Sequence, residues 1–312
     1  MNYHAYAACR KAGFFGRSER IPDPLGDVLI LLRKNNLRAV LKEIRAVRGR
    51  GGRAWISLKE SGQHQIAEFF NDVTRLELFL RIAAEADGFL ASTPQAVAVY
   101  RNAGMTRGGF VPTPYPVEAS EWNFGIPLEE RNGIFVGTRE FDVASRRHAE
   151  TILAADRLSR KLEVPVAVVN LDGRTGGMKL KRIRRDNPLF FIIEGPVDYP
   201  RYVKLMASHR VVFQLDRSAV PGQVAGDALL CRMPCVGGDG TIDELVFGAD
   251  ADLEADPAVA RVEELLTNDE NWNETMRAAV ERASKMVSFE AGRRALETLF
   301  GSESAPMDLG RV

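Results

Sequence analysis

The segment 199–248 limits the fold of this chain more than any other, because strand, turn and helix patterns follow one another in it without a linker. Its apolar run 211–215 is too short for a helix and is typical of a buried parallel strand. A helix is predicted to begin at Pro221-Gly222, directly after that strand. The unpaired N–H groups of its first turn would then lie at the strand's carboxyl end, where they favour an anion, most often a phosphate.

A glycine-rich turn follows the second strand of the same segment. The short strand 234–236 leads into Gly237, Gly238 and Gly240. Because glycine has no Cβ, its backbone can approach a ligand closely. Two such turns in succession predict a nucleotide-binding crevice.

The order of these features resembles the donor-nucleotide half of GT-B glycosyltransferases, most closely the retaining family-four type. That family has a helix with an acidic residue, then the pattern A-x-x-x-G-x-P-V-V, a Gly-Gly turn, and an acid before an apolar pair. Here Asp227, Pro234 and Val236 match the helix and strand, and Glu244 precedes the apolar pair. Three further segments resemble the family in the same order: 84–104 at the end of the first domain, 110–118 at the interdomain crossing, and 133–140 at the first strand and phosphate loop of the second.

The resemblance implies an α/β fold of two Rossmann-like parallel-sheet domains that face each other across a cleft. A length of 312 residues also favours two domains. We expect an acceptor-side domain over 1–115 and a nucleotide-sugar-binding domain over 116–312, with a closing helix at about 286–300 that packs back on the first. A helix is predicted at 2–14, where the family has a strand and a glycine-rich turn, so we expect a truncated N-terminal domain.

Strand and helix patterns alternate along both halves of the chain, which is typical of parallel α/β sheets. The predicted strands are 27–32, 54–58, 88–91 and 108–111 in the first half, and 133–137, 165–170, 189–193, 210–215 and 234–236 in the second. The predicted helices of the first half are 36–48, 64–86 and 94–103, and 257–300 is predicted to form consecutive helices.

The resemblance also implies a donor site. Family members carry two glutamates eight positions apart; the second holds the nucleotide ribose and the first lies beside the sugar. Asp227 takes the second position and Ala219 the first. We expect Asp227 to bind the ribose; the alternative is that its carboxylate only favours a helix N-terminus. The expected donor-binding residues are Gly137, Thr138, Arg139, Val197, Arg217, Ser218, Pro221, Gly222, Asp227, Gly238, Gly240 and Glu244.

Positive groups are expected near the diphosphate, because stabilising its developing charge is usually the largest catalytic contribution. Thr138 and Val143 stand where the family often has an arginine and a lysine. Arg139 and Arg217 are the expected substitutes, whereas Arg146-Arg147 fits a solvated helix face equally well. The segment 195–197 resembles the one whose backbone meets the base.

Catalytic candidates on the first domain follow the strand predicted at 54–58. The family places a histidine or polar group there, and Glu60, Ser61 and His64 are available. We take Glu60 and His64, together with Asp227, as the catalytic candidates. A single histidine at a helix start is more often a cap or surface residue. Four histidines and three cysteines without ligand spacing predict no metal site.

A basic stripe marks the helix predicted at 36–48. Lys34, Arg38, Lys42 and Arg45 recur at helical spacing on a face other than the apolar one. The stripe predicts either a solvated helix face or contact with an anionic partner, which would be an acidic membrane surface or nucleic acid. A formal net charge of zero argues against general nucleic-acid binding.

These observations predict an enzyme that transfers a sugar from a UDP- or GDP-sugar to an acceptor that the sequence does not identify, with retention and without a metal. The acceptor could be a lipid-linked saccharide, a protein or a nucleic acid. Two alternatives stay open: a DNA-modifying glycosyltransferase that acts on a modified base, and a non-catalytic, degenerate GT-B binding protein. Few cysteines and no apolar run of membrane length predict a cytoplasmic location, with peripheral contact at the inner membrane face as an option.

Overall fold

The computed structural model describes residues 26–301, apart from 119, 185 and 196. The helix predicted at 2–14 and the predicted base-contacting Pro196 therefore lie outside the described residues. Within the described part of the chain, none of the helices combines the length and apolar character that a membrane span needs.

The first half forms a four-stranded parallel sheet in the order β1-β2-β3-β4. Its strands are β1 (Asp27–Leu32), β2 (Arg53–Leu58), β3 (Gly88–Ala91) and β4 (Gly108–Phe110). Its helices are α1 (Leu37–Gly49), α2 (Gln63–Phe70), α3 (Val73–Glu85) and α4 (Pro94–Asn102). The single helix predicted at 64–86 is wrong: the chain breaks after Phe70, because the Asp72 side chain accepts a hydrogen bond from the Arg75 N–H at 2.9 Å and starts a new helix.

The second half forms a five-stranded parallel sheet in the order β7-β6-β5-β8-β9. Its strands are β5 (Ile134–Val136), β6 (Val166–Asn170), β7 (Phe190–Glu194), β8 (Val211–Phe213) and β9 (Cys235–Val236). Its helices are α5 (His148–Leu162), α6 (Gly173–Arg184), α7 (Tyr199–Ala207) and α8 (Gln223–Leu230). The strand order reverses between β5 and β8, so this sheet has a switch point where ligands of open α/β sheets bind.

Each sheet has its own hydrophobic core. In the first, Ile56 of β2 and Ile44 of α1 are completely buried between sheet and helices. In the second, buried strand residues such as Phe135 and Val212 lie between helices on both faces. Two separate cores support the two-domain organisation, and the boundary between residues 115 and 116 stays a prediction.

Three helices follow the second sheet in the described part of the chain: α9 (Ala255–Thr267), α10 (Asp269–Met286) and α11 (Phe289–Gly301). The last of them returns to the first sheet, where the Phe300 ring lies 4.6 Å from the Trp55 ring of β2. The crossing segment is held nearby, because the Tyr115 N–H donates to the Val287 carbonyl at 2.7 Å. Helix α11 therefore covers the face of the first sheet opposite to α1.

Glycine is required at position 226 of α8, because a Cβ there would lie 2.0 Å from the ring of the buried Tyr115. We expect Gly226→Ala to lower the free energy of unfolding by about 1–3 kcal/mol, the usual cost of overpacking a core. Chemical denaturation measures the change. Gly49→Ala is the matched control, since nothing lies within 4 Å of a Cβ at that helical position. Equal stability of the two variants would contradict this packing.

Candidate functional site

A polar cavity of about 330 Å³ lies between the two sheets, at the carboxyl ends of β2, β5 and β8. Lys59, Glu60 and Ser61 line it from the loop after β2, and Gln65 lines it from α2. The second sheet contributes the start of α8 and the loops after β5, β8 and β9. The cavity therefore lies at the switch point that the strand order defines.

The start of α8 forms one wall of the cavity. Its N-cap Gly222 has a φ of 86°, and a Cβ there would lie 2.7 Å from the backbone nitrogen of Ile242. Only glycine fits both the left-handed backbone and this close approach. Gln223 and Val224 in the first turn line the cavity. Since the first N–H groups of a helix have no intrahelical partner, this wall favours an anion.

Two arginines bring positive charge to the same cavity. The Arg139 guanidinium lies 5.7 Å from the centre of the Tyr202 ring. Arg146 forms an ion pair with Asp216 and a second one with Glu140 at 3.2 Å. The sequence allows Arg146 either a place near the diphosphate or a place on a solvated helix face. In the structure its side chain is only 17% exposed. Together with the start of α8, the arginines could bind a diphosphate.

Asp243 is a neutral acid in the wall of the cavity. It is completely buried, and its Oδ1 accepts a hydrogen bond from the Gln214 side-chain amide. Burial, reinforced by the neighbouring Asp216, raises its pKa to about 8. Its Oδ2 has no hydrogen-bond partner among the described residues. A protonated Asp243 can therefore donate a hydrogen bond to a ligand.

Asp216 is the second acid of the cavity. It lies three residues after the end of β8, and its Oδ2 pairs with Arg146. Its Oδ1 is buried and finds no partner in the described part of the chain. A buried oxygen without a partner is costly, so a ligand hydroxyl at this position would be stabilising.

Asp227 does not line the cavity, although it lies one turn from Gln223, which does. It is completely buried, and the Tyr199 hydroxyl donates to its Oδ1 at 2.9 Å. Burial raises its pKa to about 7. Contact between Asp227 and a ligand therefore requires the side chains that bury it to move.

Five of the predicted donor-site or catalytic residues line the cavity: Glu60, Arg139, Pro221, Gly222 and Gly240. Three others support its walls. The Gly137 N–H donates to the Phe213 carbonyl at 2.9 Å, and Thr138 pairs with the His148 ring at 3.0 Å. The Ser218 carbonyl accepts a hydrogen bond of 2.8 Å from the N–H of Gln63, which joins the two halves beside the cavity.

Four predicted donor-binding residues are directed elsewhere. Arg217 forms an ion pair with Asp252 at 3.3 Å and donates to the Leu253 carbonyl, so its charge is directed away from the cavity. Glu244 is exposed, because the turn Asp243–Phe247 is π-helical and presents the preceding acid instead. Gly238 accepts a 2.8 Å hydrogen bond from the Asp252 N–H, and Val197 packs against the core of the second sheet.

The catalytic candidates of the first half lie at the rim. Glu60 is exposed and lies 3.5 Å from the Lys59 ammonium. His64 is half-buried beside the cavity, and burial followed by the charge of Arg146 lowers its pKa. The His64 Nδ1 has no partner among the described residues. In the described part of the chain, neither side chain forms a hydrogen bond or an ion pair with Asp216 or Asp243.

Sequence reasoning did not identify Gln214, Asp216, Gln223 and Asp243 as site residues. One signal was available, because Gln214 and Asp216 lie within three residues of the end of a buried strand at the switch point. The position of Asp243 depends on the π-helical turn, which the sequence does not reveal. No group of three or more histidine, cysteine or carboxylate side chains suited to a metal occurs in the described ranges.

The basic stripe lies on the exposed face of α1 and the loop before it. Lys34 pairs with Glu68 at 2.6 Å, and Arg45 pairs with Glu85 at 2.8 Å. Arg38 and Lys42 have no ion-pair partner among the described residues. Half of the stripe is therefore compensated by acids of the first domain.

Comparison with known protein structures identifies the fold class of this chain. No protein-family model and no curated protein sequence matches the chain. Among solved structures, HepE from Anabaena in complex with UDP is 15% identical, with a TM-score of 0.66 over 88% of this chain and 78% of HepE. Trehalose-6-phosphate synthase OtsA is 13% identical, with a TM-score of 0.63 over 88% of this chain and 71% of that one. TarM is 14% identical, with a TM-score of 0.64 over 90% of this chain.

The chain has the GT-B fold, since its two parallel-sheet units match these structures as one ordered whole. The predicted fold class is confirmed. The chain spans about half of TarM, with 55% of that protein covered. At identities this low the likeness defines the fold, and the chemistry has to be argued from the site.

The raised pKa of Asp243 makes stability depend on pH. In the folded protein the Asp243 carboxyl keeps its proton up to about pH 8, whereas its ordinary pKa is 3.8. The contribution of Asp243 to stability is therefore fully present below pH 3.8 and is lost as the pH rises to about 8. Asp243→Asn mimics the neutral acid at every pH. We expect the unfolding free energy of Asp243→Asn, relative to the parent, to increase between about pH 4 and about pH 8 in chemical denaturation.

The control for this experiment is Asp142→Asn, whose side chain is 87% exposed in its pair with Lys179. Its difference from the parent should change little with pH. If Asp243→Asn followed the same course as this control, Asp243 would not be a buried neutral acid.

Proposed function

We propose that the chain is a glycosyltransferase that takes its sugar from a nucleotide-sugar donor bound in the 330 Å³ cavity. One observation carries the proposal: the start of α8 and two arginines meet at the switch point of a GT-B sheet. The solved neighbours add support, because HepE structures contain UDP and UDP-glucose and an E. coli structure contains UDP-2-fluoro glucose. A uridine diphosphate sugar is therefore the donor to test first.

The diphosphate is proposed to lie against the first turn of α8, with Arg139 and Arg146 beside it. These groups would compensate the charge that develops on the leaving diphosphate, a role that a metal ion has in other transferases. The base would lie toward Val197 and α7. The ribose would reach Asp227 after the Tyr199 hydroxyl has moved away, which fits the position that the family resemblance gives to Asp227.

The sugar is proposed to face Asp216 and Asp243, whose buried oxygens without partners can bind its hydroxyl groups. In the transfer step, the acceptor's hydroxyl oxygen bonds to the anomeric carbon, and the bond from that carbon to the diphosphate oxygen breaks. The electron pair leaves with the nucleoside diphosphate, and the hydroxyl proton passes to it. Attack from the face of the departing diphosphate would retain the anomeric configuration.

A non-catalytic binding protein is the second candidate, favoured by Ala219 at the position of the family's first glutamate. Ala219 has a φ of 45°, and its N–H donates to the Asp239 carboxylate at 2.8 Å. This contact weakens the second candidate, because Asp239 brings a carboxylate close to Ala219, where the sequence pattern lacks one. Binding of UDP without any hydrolysis or transfer of UDP-glucose would favour this candidate over the enzyme.

Calorimetric titration with UDP tests the donor site. We expect one site per chain, and about tenfold to hundredfold weaker binding for Arg139→Gln, because a hydrogen bond to a charged phosphate is lost. Arg182→Gln is the matched control, since Arg182 is exposed on α6. No binding of UDP or GDP to folded parent protein would contradict the proposal, and so would equal affinity of the two variants.

Peripheral contact with an anionic surface is proposed for Arg38 and Lys42, the two stripe residues that lack an ion-pair partner among the described residues. Because each charge contributes about 1 kcal/mol near an acidic membrane, the double change to glutamine should weaken binding to acidic vesicles about tenfold to thirtyfold. Vesicles of neutral lipid and a DNA duplex at several salt concentrations are the comparisons. Unchanged vesicle binding would indicate that the stripe is only a solvated helix face. A steep salt dependence on DNA would favour a nucleic-acid acceptor.

A further inference from the structure

A second cavity, of about 480 Å³, lies between the first sheet and α11. Its walls are mainly apolar, with Leu29 and Trp55 from the sheet and Phe289, Leu296 and Phe300 from the helix. The volume lies within the range of small-molecule sites, about 300–1,000 Å³. An apolar cavity of this size loses dispersion and hydrophobic energy unless something fills it.

The hydroxyl groups of this cavity are all at one end, whereas its two charged residues, Asp27 and Arg293, lie on the sheet and on α11. Ser57, Ser92 and Thr113 lie at or just beyond the carboxyl ends of β2, β3 and β4. The Thr113 hydroxyl is buried and has no hydrogen-bond partner among the described residues, in a side chain only 2% exposed. A buried hydroxyl without a partner at the end of an apolar cavity favours a ligand that carries a polar group at one end.

That polar end adjoins the donor cavity. The Ser92 hydroxyl lies 2.8 Å from the hydroxyl of Ser61, and Ser61 lines the donor cavity. One hydrogen-bonded pair of serines therefore separates the two spaces. At the opposite end of the sheet, Asp27 is held by Arg53 at 2.7 Å and by the Trp55 indole N–H at 2.7 Å. Arg53 therefore compensates the negative charge of Asp27 beside the apolar walls.

We infer that the 480 Å³ cavity binds the acceptor, and that the acceptor is a small apolar molecule with a hydroxyl group, such as an aromatic or alicyclic alcohol. Its body lies between Trp55 and Leu296, and its hydroxyl group lies at Thr113 and Ser92, directed at the donor cavity. The acceptor role rests on the proposed function, whereas the binding site depends only on the cavity.

The experiment is calorimetric titration of the full chain with 2-naphthol, and with naphthalene as the probe without a hydroxyl group. Parent protein is expected to bind 2-naphthol at one site and naphthalene about threefold to tenfold more weakly, as one neutral hydrogen bond predicts. Thr113→Val keeps the shape and removes the hydroxyl, so the preference for 2-naphthol should largely disappear. This change breaks no hydrogen bond of the described protein.

Leu296→Trp tests the location, because the larger side chain fills the cavity from α11. It should weaken 2-naphthol at least about tenfold, while Thr298→Trp, on the exposed face of the same helix, should leave it unchanged. UDP titration of each variant shows whether the rest of the molecule is intact. If Leu296→Trp does not fold, the Thr113→Val comparison decides.

Absence of 2-naphthol binding, or equal binding by Leu296→Trp and the parent, would overturn the inference. UDP binding without 2-naphthol binding would contradict this inference and would still agree with the proposed function. The reverse result would defeat the proposed function and leave the cavity as a binding site for apolar alcohols.

Discussion

The close packing of Gly222 against the turn after β9 is the contact on which the site depends. With no side chain at Gly222, the start of α8 approaches Ile242 and Asp243 directly. The loops after β8 and β9 are further joined by hydrogen bonds from Thr241 to Val220 at 2.9 Å and from Asp239 to Asp216 at 3.0 Å. These contacts fix a helix N-terminus, two acids and two arginines around one space, and the proposed chemistry follows from that arrangement.

The second requirement is that the two halves meet at the carboxyl ends of their strands. Two features join the halves: the Gln63–Ser218 hydrogen bond beside the cavity, and α11, which crosses back to Trp55. Helix α11 thereby has two consequences. It ties the first sheet to the second half of the chain, and it encloses the apolar cavity that adjoins the polar cavity.

The sequence predicts the fold well because the signals for buried parallel strands are local. All nine strands fall within one or two residues of their predicted bounds, and the helix break at Asp72 is the main difference. The residues that line the polar cavity are predicted only in part. Gly222 and Gly240 line it as predicted, but the direction of a side chain depends on tertiary contacts. Arg217 pairs with Asp252 instead of facing the cavity, and a π-helical turn exchanges Glu244 for Asp243.

Hydrogen exchange with and without UDP tests the central claim most directly, because it reports on the backbone N–H groups that are proposed to hold the diphosphate. The account predicts that UDP slows exchange at the first turn of α8, residues 222–225, and in the loop after β5, residues 138–139, since bound phosphate oxygens would accept hydrogen bonds there. Unchanged exchange in both segments at saturating UDP, or protection confined to the first sheet, would contradict it.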